Sequence, residues 1–278
     1  MSAPLAGLRF SVAGPGKVGS SLASWAKAAG AELVRVAGRG ALGELATGGQ
    51  DLLLLALPEA ALPAAAAELA GRPQAAVVLH TAGSLDASVL APLRAAGSAV
   101  GSLHPLKAFP EPLPDPDEAR GVFFAVDGDP PAREMAFSLA AAWKGVPGEV
   151  PAAARLLYHF AATLAAGGVV TLLAAAGELG ERLGLPAAVT RGYLELARGA
   201  VAAAGRSLDA GRPLAAAITG PVARGDAATL RRQLATLQAG AADKLPLARA
   251  LAAETAHQRE RLGENLSALK IELEVPRN

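Results

Sequence analysis

Six consecutive residues near the start of the chain have the spacing of a phosphate-binding turn. The segment Gly14–Gly19 reads "GPGKVG", a G-x-G-x-x-G motif in a chain that has 31 glycines among 278 residues. In such a turn the first glycine permits a tight bend, and the second lets a pyrophosphate approach the backbone. The third lets the following helix pack on the preceding strand. Because glycine is abundant here, an ordinary strand-to-helix turn is the alternative.

The residues on both sides of this turn favour a dinucleotide site. The run "LRFSVA" before it predicts a strand, and "KVGSSLASWAKAAG" predicts a helix that Gly30 can end. A second predicted strand, "AELVRVA", leads to Gly38 and Arg39, and Arg39 lies 20 residues after Gly19. An NAD enzyme places a carboxylate there for the ribose 2′-hydroxyl, whereas a guanidinium binds a 2′-phosphate. The sequence therefore predicts NADP(H) rather than NAD(H).

Polar residues follow three further predicted strands. The strands Asp51–Leu57, Ala75–Leu79 and Ala99–Leu103 are followed by "PE", "HTAGS" and "HPLK". Ligands of an open parallel sheet lie beyond the carboxyl ends of its strands, so His80 and His104 are candidate site residues. For each histidine, a helix cap or a hydrogen bond within a loop is the alternative.

The second half of the chain adds two candidates. His159 lies beside Tyr158 early in a long apolar helix, where it either faces a cleft or contacts buried backbone. Arg224 lies in the segment "TGPVARGD", where it either binds a substrate anion or pairs with Asp226. Asp226 suits the N-cap of the helix that follows.

The elements that would position these residues change character near the middle of the chain. Up to about residue 150, short apolar runs alternate with Ala/Leu segments at helical spacing, a pattern typical of strands covered on both faces. After Pro151 the strand-like runs give way to long Ala/Leu-rich segments. We therefore predict an α/β fold: a Rossmann-like, doubly wound parallel sheet at 1–150, followed by an all-α domain at 151–278.

Composition limits the partners and the kinds of site. The chain is 52% hydrophobic with a formal net charge of +1, which gives no electrostatic reason to expect nucleic acid or an anionic membrane. It has no cysteine, so thiolate metal sites are excluded, and the sequence shows no other metal-ligand cluster. We expect a cytoplasmic protein that acts on a small molecule and holds no metal.

The apolar helices of the second half carry two further expectations. The longest uncharged stretch, Leu156–Gly177, contains His159 and two adjacent glycines, so we expect a buried helix rather than a membrane span. The helices after Pro151 are apolar around too much of their circumference for a solvated bundle. We expect them to form a homodimer.

Five segments, in order, resemble one bacterial family. They are "GPGKVG", "LHTAGSLDASVL", "GSLHPLKAF", "LLYHFAATLA" and "TGPVARGDAATL". Proteins of that family have a Rossmann-like N-terminal domain and a C-terminal domain of unknown function, DUF2520. The family is similar to pyrroline-5-carboxylate reductases, ketopantoate reductases, F420-dependent NADP reductases and the 6-phosphogluconate dehydrogenase group. The resemblance implies an NADP-binding, oxidoreductase-like protein with a 6-phosphogluconate dehydrogenase-like helical domain that dimerises, and it implies no particular substrate.

The chain departs from the family pattern at two places. Ala166 and Gly167 stand where the family has a Ser-Asn pair, and Gln233 stands where histidine is frequent. Loss of the amide removes a possible hydrogen bond to substrate or nicotinamide and leaves NADP binding intact. Two functions therefore stay open: a reductase of a small carbonyl or imine, and a non-catalytic NADP-binding sensor or scaffold.

The sequence thus assigns candidate roles to individual residues. The catalytic candidates are His104, as acid or oxyanion donor, then His159 and Lys107, and the substrate-binding candidates are Ser84 and Arg224. The cofactor-binding candidates are Gly14, Pro15, Gly16, Lys17, Val18, Gly19, Gly38, Arg39, Leu57, Pro58, His80 and Thr81.

Overall fold

The computed structural model of the protein describes residues 3–38, 40–45, 48–72, 75–267 and 269. The chain divides into two units, Met1–Ala166 and Gly167–Asn278. The first contains the sheet and the helices packed on it, and the second contains further helices. The predicted domain boundary near residue 150 lies inside the first unit and stays a prediction.

A seven-stranded sheet organises the first unit, in the order β2-β1-β3-β4-β5-β6-β7. Its strands are β1 (Arg9–Ala13), β2 (Glu32–Ala37), β3 (Leu52–Leu55), β4 (Val77–His80), β5 (Ala99–Pro105), β6 (Phe123–Gly128) and β7 (Val146–Glu149). The strands β1 to β5 are parallel. All four leucines of β3 are buried, because the sheet is covered on both faces.

Helices cover the sheet and create an apolar core on each face. They are α1 (Lys17–Ala28), α2 (Leu62–Ala70), α3 (Ala91–Ala95), α4 (Pro130–Ala142) and α5 (Arg155–Thr163). One core includes Trp25, Phe124 and Trp143, and the other includes Leu53 and Leu62. The doubly wound arrangement predicted from the sequence is confirmed, because neighbouring residues of one strand contribute to opposite cores.

The sheet differs from the all-parallel prediction at one strand. β6 runs antiparallel to β5, with Ser102 opposite Asp127 and His104 opposite Ala125. The connection 106–122, all of it described, contains a short 3₁₀ turn and no α-helix. Parallel pairing requires a long crossover, usually a helix, so the chain returns beside β5 in the opposite direction. The helix α4 then makes β7 parallel to β6.

The second unit is all-helical in the part of the chain that the structure describes. Its helices are α6 (Val169–Arg182), α7 (Ala188–Asp209), α8 (Ala227–Gly240) and α9 (Leu245–Glu260). A small core forms where Leu230 and Leu234 of α8 meet Ala252 and Ala256 of α9. The Asp226 carboxylate accepts the Thr229 N–H at 3.0 Å, so the predicted N-cap of α8 is confirmed.

The longest apolar run is exposed in the single chain, so the prediction that it is buried is wrong. Helical structure is continuous over Ala152–Arg182, with a π-helical segment at Leu164–Gly168 between α5 and α6. Only 6% of its most apolar stretch is buried. Only one side of α5 contacts the sheet, which leaves Leu157 and Phe160 exposed. By length and composition alone, this is the one described helix able to cross a membrane, and one such helix is weak evidence for a span.

Candidate functional site

The Gly14–Gly19 turn connects β1 to α1, and two of its glycines are required by close backbone approach. Gly14 has a φ of +95°, and a Cβ there would overlap the Ala56 carbonyl oxygen. A Cβ on Gly19 would overlap the Gly14 carbonyl oxygen. Gly16 differs, because no atom lies within 4 Å of an added Cβ. The turn therefore presents open space at its middle glycine.

The helix α1 begins beside this open space. Gly16 is the N-cap of α1 and has no side chain with which to cap the helix. The first N–H groups of a helix, here those of Lys17, Val18 and Gly19, have no partners within the helix, and a phosphate satisfies them well. The turn can therefore hold a pyrophosphate, as the motif predicts.

The other predicted cofactor residues lie around this turn or outside the described part of the chain. A Cβ on Gly38 would lie 3.8 Å from the Pro15 ring, so the end of β2 is next to the turn. Arg39 lies outside the described residues, so its contact with a 2′-phosphate stays a prediction. Leu57 and Pro58 follow β3, and Thr81 follows β4, where its N–H donates to the Leu55 carbonyl at 3.2 Å.

The His80 side chain is used by its own loop. It is fully buried, its Nδ1 accepts the Ala82 N–H at 3.2 Å, and its Nε2 lies 3.1 Å from the Asp86 carbonyl oxygen. Since Nδ1 accepts, the proton is on Nε2 and donates to Asp86. Burial lowers the pKa of His80 to about 4, so the ring is neutral near pH 7.

Two residues of β5 meet one face of α5 in matching register. Ser102 and His104 are two positions apart on β5, so they lie on the same face of the sheet. Arg155 and Tyr158 are three positions apart on α5, so they share one face of the helix. Arg155 Nη2 donates to Ser102 Oγ, and the Tyr158 hydroxyl lies 2.9 Å from His104 Nδ1. Strand and helix spacing thus fit each other, and two polar pairs form at once.

The His104–Tyr158 pair is the centre of this site. The two rings meet edge to face, with centroids 5.6 Å apart. Burial lowers the pKa of His104 to about 4, and the charges of His159 and Arg155 add to the effect. Burial raises the pKa of Tyr158 to about 12, against the charge of Arg155. Both side chains are therefore neutral near pH 7.

His159 and the loop after β4 complete the surroundings of His104. The His104 and His159 ring centroids are 6.0 Å apart. An added Cβ on Gly83 would overlap the His159 ring and lie 2.8 Å from His104 Nε2. Position 83 requires glycine, because two histidine rings occupy the space that a side chain would need.

Ser84 is held by a carboxylate that sequence reasoning did not assign. Its N–H and hydroxyl donate to Glu59 Oε1 at 3.0 Å and to Oε2 at 2.5 Å. Burial raises the pKa of Glu59, but the hydrogen bonds from Ser84 and the charge of His159 outweigh it and leave the pKa below its usual value. Glu59 is therefore an anion that links the loops after β3 and β4.

Two predicted site residues remain, Lys107 and Arg224. Lys107 follows β5, and its Nζ forms an ion pair with Glu118 at 2.8 Å. Arg224 belongs to the second unit, and its side chain is exposed. Hydrogen bonds from Thr229 lower the pKa of Asp226 and the charge of Arg224 adds to the effect, so the alternative of a local electrostatic partner has support.

A pocket of about 570 Å³ opens beside the His104–Tyr158 pair. Its lining combines polar side chains with alanines of α5 and of the π-helical segment, among them Ala162 and Ala166. The polar lining residues are His104, Lys107, Tyr158, His159 and Thr163. Because β5 is parallel to β1, His104 and the Gly14–Gly19 turn lie at the same edge of the sheet. That edge is where open sheets bind ligands.

A family model matches the middle and much of the C-terminal part of the chain. Residues 122–255 match the family model described as "Domain of unknown function (DUF2520)". This part of the chain is similar to the DUF2520 domain. The family resemblance predicted from the five segments is confirmed. No curated protein matches the chain.

Solved structures show that the fold of this chain recurs in other proteins. BF3122 from Bacteroides fragilis superposes with a TM-score of 0.70 at 18% identity, covering 90% of this chain and 98% of that one. Pyrroline carboxylate reductase from Plasmodium falciparum, solved with NADP bound, gives 0.59 at 13% identity, covering 94% and 100%. Imine reductase from Streptomyces aurantiacus gives 0.58 at 15% identity, covering 96% and 100%. At these identities the likeness establishes the fold: a Rossmann-like sheet followed by helices.

Sequence reasoning missed Arg155 and gave Tyr158 no role of its own. Both lie in the run "ARLLYHFAATLA", where Arg155, Tyr158 and His159 occupy positions i, i+3 and i+4. Polar residues at that spacing share one face of a helix, so the periodicity contained the signal. Which face would meet β5 depends on packing.

Proposed function

We propose that this protein is an NADP(H)-dependent oxidoreductase that reduces a small carbonyl or imine compound. The observation that carries the proposal is the hydrogen-bonded His104–Tyr158 pair, which lines a pocket at the same sheet edge as an open glycine turn. Structural relatives that act as reductases, one of them solved with NADP, support the same reading.

The residues present fit the cofactor. The N–H groups at the start of α1 would bind the pyrophosphate, and open space above Gly16 leaves room for it. Gly38 and Arg39 follow β2 at the position that contacts the adenosine ribose, where the guanidinium would bind a 2′-phosphate. When bound, NADPH supplies the hydride that reduces the substrate carbon.

The His104–Tyr158 pair would supply the proton. Reduction leaves negative charge on the carbonyl oxygen or imine nitrogen, which needs a hydrogen-bond donor. Because both side chains are neutral near pH 7, one of the two donates in their shared hydrogen bond. If Tyr158 donates, the His104 Nε2–H is free, and if His104 donates, the Tyr158 O–H is free. The pair thus keeps one donor for the substrate, which favours the oxyanion-donor role of His104 over the role of imidazolium acid.

Substrate binding is assigned by position. His159 and Lys107 line the same pocket, and Ser84 lies in the neighbouring loop. The Glu59 anion near His159 would disfavour a substrate carboxylate close to that histidine. Arg224 remains a candidate for a substrate carboxylate.

The alternative function, an NADP-binding sensor or scaffold without turnover, has one observation in its favour. The wall of the pocket formed by α5 and the π-helical segment is mostly alanine, and Ala166 offers no amide there. Both functions require NADPH binding, and only the reductase oxidises it. The test is loss of NADPH absorbance with cyclic imines, ketones and α-keto acids as acceptors. Tight NADPH binding by calorimetry, without turnover by any acceptor class, would favour the sensor.

We also propose a cytoplasmic homodimer formed through the helices of the C-terminal half. The outward face of α5 exposes Leu156, Leu157 and Phe160, each more than half accessible, and α7 exposes Leu196 and Val201. Isolated monomers rarely leave so many large apolar side chains in water. Light scattering should report twice the chain mass of 27.7 kDa, and Leu157→Asp with Phe160→Asp should give monomer. Monomeric wild-type protein would contradict the proposal.

A further inference from the structure

A buried guanidinium lies beside the His104–Tyr158 pair without a part in the chemistry described so far. The side chain of Arg155 is 1% exposed. Its Nη2 donates to Ser102 Oγ, while its Nε and Nη1 are buried with no hydrogen-bond partner among the described residues. Buried polar groups are almost always paired, so this exception requires an explanation.

The carboxylates near Arg155 are engaged elsewhere. Asp127 lies opposite Ser102 on β6, and its Oδ2 accepts the Ala87 N–H at 2.9 Å. Asp86 Oδ1 accepts the Ser88 N–H at 2.7 Å. Burial lowers the pKa of Arg155, opposed by the charges of Asp127, Tyr158 and Asp86, but an arginine stays protonated in proteins. The positive charge is therefore fixed and only partly compensated.

Such a residue is a poor source of stability. Replacing a buried ion with an apolar side chain of similar size is often neutral or stabilising, because the charge loses its hydration on folding. What a fixed charge in a dry site does well is to stabilise charge that develops during a reaction. The nearest groups that can change charge are Tyr158, on the same face of α5, and His104, on β5.

We infer that Arg155 is a positioning residue, whose bond to Ser102 sets the register of α5 on β5 and whose charge opposes protonation of His104 and stabilises the Tyr158 phenolate. This inference rests on the proposed reductase function. The substrate carbon would gain hydride from NADPH, which becomes NADP⁺, and the substrate oxygen or nitrogen would gain the Nε2 proton of His104 while the Tyr158 proton moves to Nδ1. The O–H electron pair stays on Tyr158 until a solvent proton restores the hydroxyl.

Other charged groups around His104 also shift its pKa. His159 lies on α5 and His80 ends β4, and the charge of each lowers the pKa of His104 as Arg155 does. Glu59, in the loop after β3, raises it. None of these is a permanent cation, so Arg155 alone keeps its effect at every working pH.

The test compares a neutral and a charged substitution at one position. Arg155→Gln removes the charge and keeps a polar side chain, whereas Arg155→Lys keeps the charge. The pKa of His104 is read from nuclear magnetic resonance of the imidazole, which is tractable because the chain has 4 histidines. We expect the pKa of His104 to rise by about one pH unit in Arg155→Gln and to stay at the wild-type value in Arg155→Lys.

Two further measurements separate positioning from structure. We expect kcat to fall about tenfold in Arg155→Gln, less than for loss of a direct donor, with KM within about twofold. Arg155→Met should be at least as stable as wild type to urea, and it serves as the neutral variant if Arg155→Gln does not fold. An unchanged His104 pKa in the neutral variant would overturn the inference, as would a large loss of stability in Arg155→Met.

Failure of the two proposals can be told apart. If wild-type protein oxidises no NADPH with any acceptor, the reductase function fails, while the His104 titration still decides whether Arg155 controls that ring. If turnover is present and the titration is unchanged in Arg155→Gln, the reductase function stands and the role of Arg155 falls.

Discussion

The glycine turn and the β5–α5 contact lie at the same edge of one sheet, but they are built in different ways. The turn consists of backbone within six consecutive residues, and it requires glycine where an added Cβ would overlap a carbonyl oxygen. The contact consists of side chains, and its central hydrogen bond joins His104 to Tyr158 across 54 positions of sequence. Substitutions in the turn should therefore change cofactor binding, and substitutions in the contact should change chemistry.

The largest effect is expected from adding one methyl group to the turn. In Gly19→Ala the new Cβ would overlap the Gly14 carbonyl oxygen, and backbone on both sides cannot move away. We expect NADPH affinity to fall at least about 100-fold, or about 2.7 kcal/mol, and unfolding in urea to become easier by about 1–3 kcal/mol. Calorimetry and urea titration measure the two quantities.

The matched control is the same methyl group at Gly16. Nothing lies within 4 Å of its Cβ position, so stability should stay within about 0.5 kcal/mol of wild type. NADPH affinity should still fall, by about tenfold, because the methyl group occupies the space assigned to the pyrophosphate. Unchanged NADPH affinity in Gly16→Ala would mean that the pyrophosphate binds elsewhere.

A second substitution tests the side-chain region. Tyr158→Phe keeps the ring against His104 and removes the hydroxyl that lies 2.9 Å from Nδ1. We expect kcat to fall about 100-fold, the lower end for loss of a general acid, with NADPH affinity unchanged. Tyr193 on α7 is the other tyrosine of the chain, so Tyr193→Phe is the control and should retain full activity. Equal activity of both variants would remove Tyr158 from the mechanism.

These two regions were not equally predictable. The turn could be inferred because each glycine reports a local backbone demand, and the flanking strand and helix have strong patterns of their own. His104 could be inferred because it ends a strand, and strand ends of a parallel sheet share an edge. Tyr158 and Arg155 depend on which side of α5 packs on β5, a property of the folded sheet that an Ala-rich helix does not reveal.

The direction of β6 was missed for a related reason. Alternating strands and helices predict parallel pairing, but the Pro-rich run "FPEPLPDPD" after β5 prevents a crossover helix. Given that run, an antiparallel return is the simpler outcome. The exposure of α5 could not be predicted either. The sequence of an apolar helix does not show whether its own chain or another chain covers it.

A third prediction concerns the cofactor and depends on the sequence alone. Arg39→Asp should weaken NADPH binding by about 2 kcal/mol, the scale of a hydrogen bond to a charged group, and should make NADH the preferred cofactor. Arg35 on β2 is the control, because it is exposed and forms an ion pair with Glu44 at 3.0 Å. Calorimetry with both nucleotides should show unchanged preference in Arg35→Ala. Equal affinity of the wild type for NADPH and NADH would contradict the assignment of Arg39.

The smallest expected effect is a dependence of stability on pH that arises in the side-chain region and not in the turn. His80 and His104 have folded pKa values of about 4, below the ordinary value of 6.5. Between these values the unfolded chain binds protons that the folded protein does not, so stability is complete above pH 6.5 and is lost as the pH falls toward 4. Each histidine contributes a slope of up to about 1.4 kcal/mol per pH unit.

Comparison of variants separates the contribution of His104 from that of carboxylates that titrate in the same pH range. The free energy of unfolding in urea, measured at several pH values, should fall less steeply with acid in His104→Gln than in wild type. His257 is exposed on α9, so His257→Gln is the control and should keep the wild-type slope. Identical slopes in all three proteins would mean that His104 is not held neutral by its surroundings. The oxyanion-donor role would then lose its electrostatic basis, while the glycine turn would be unaffected.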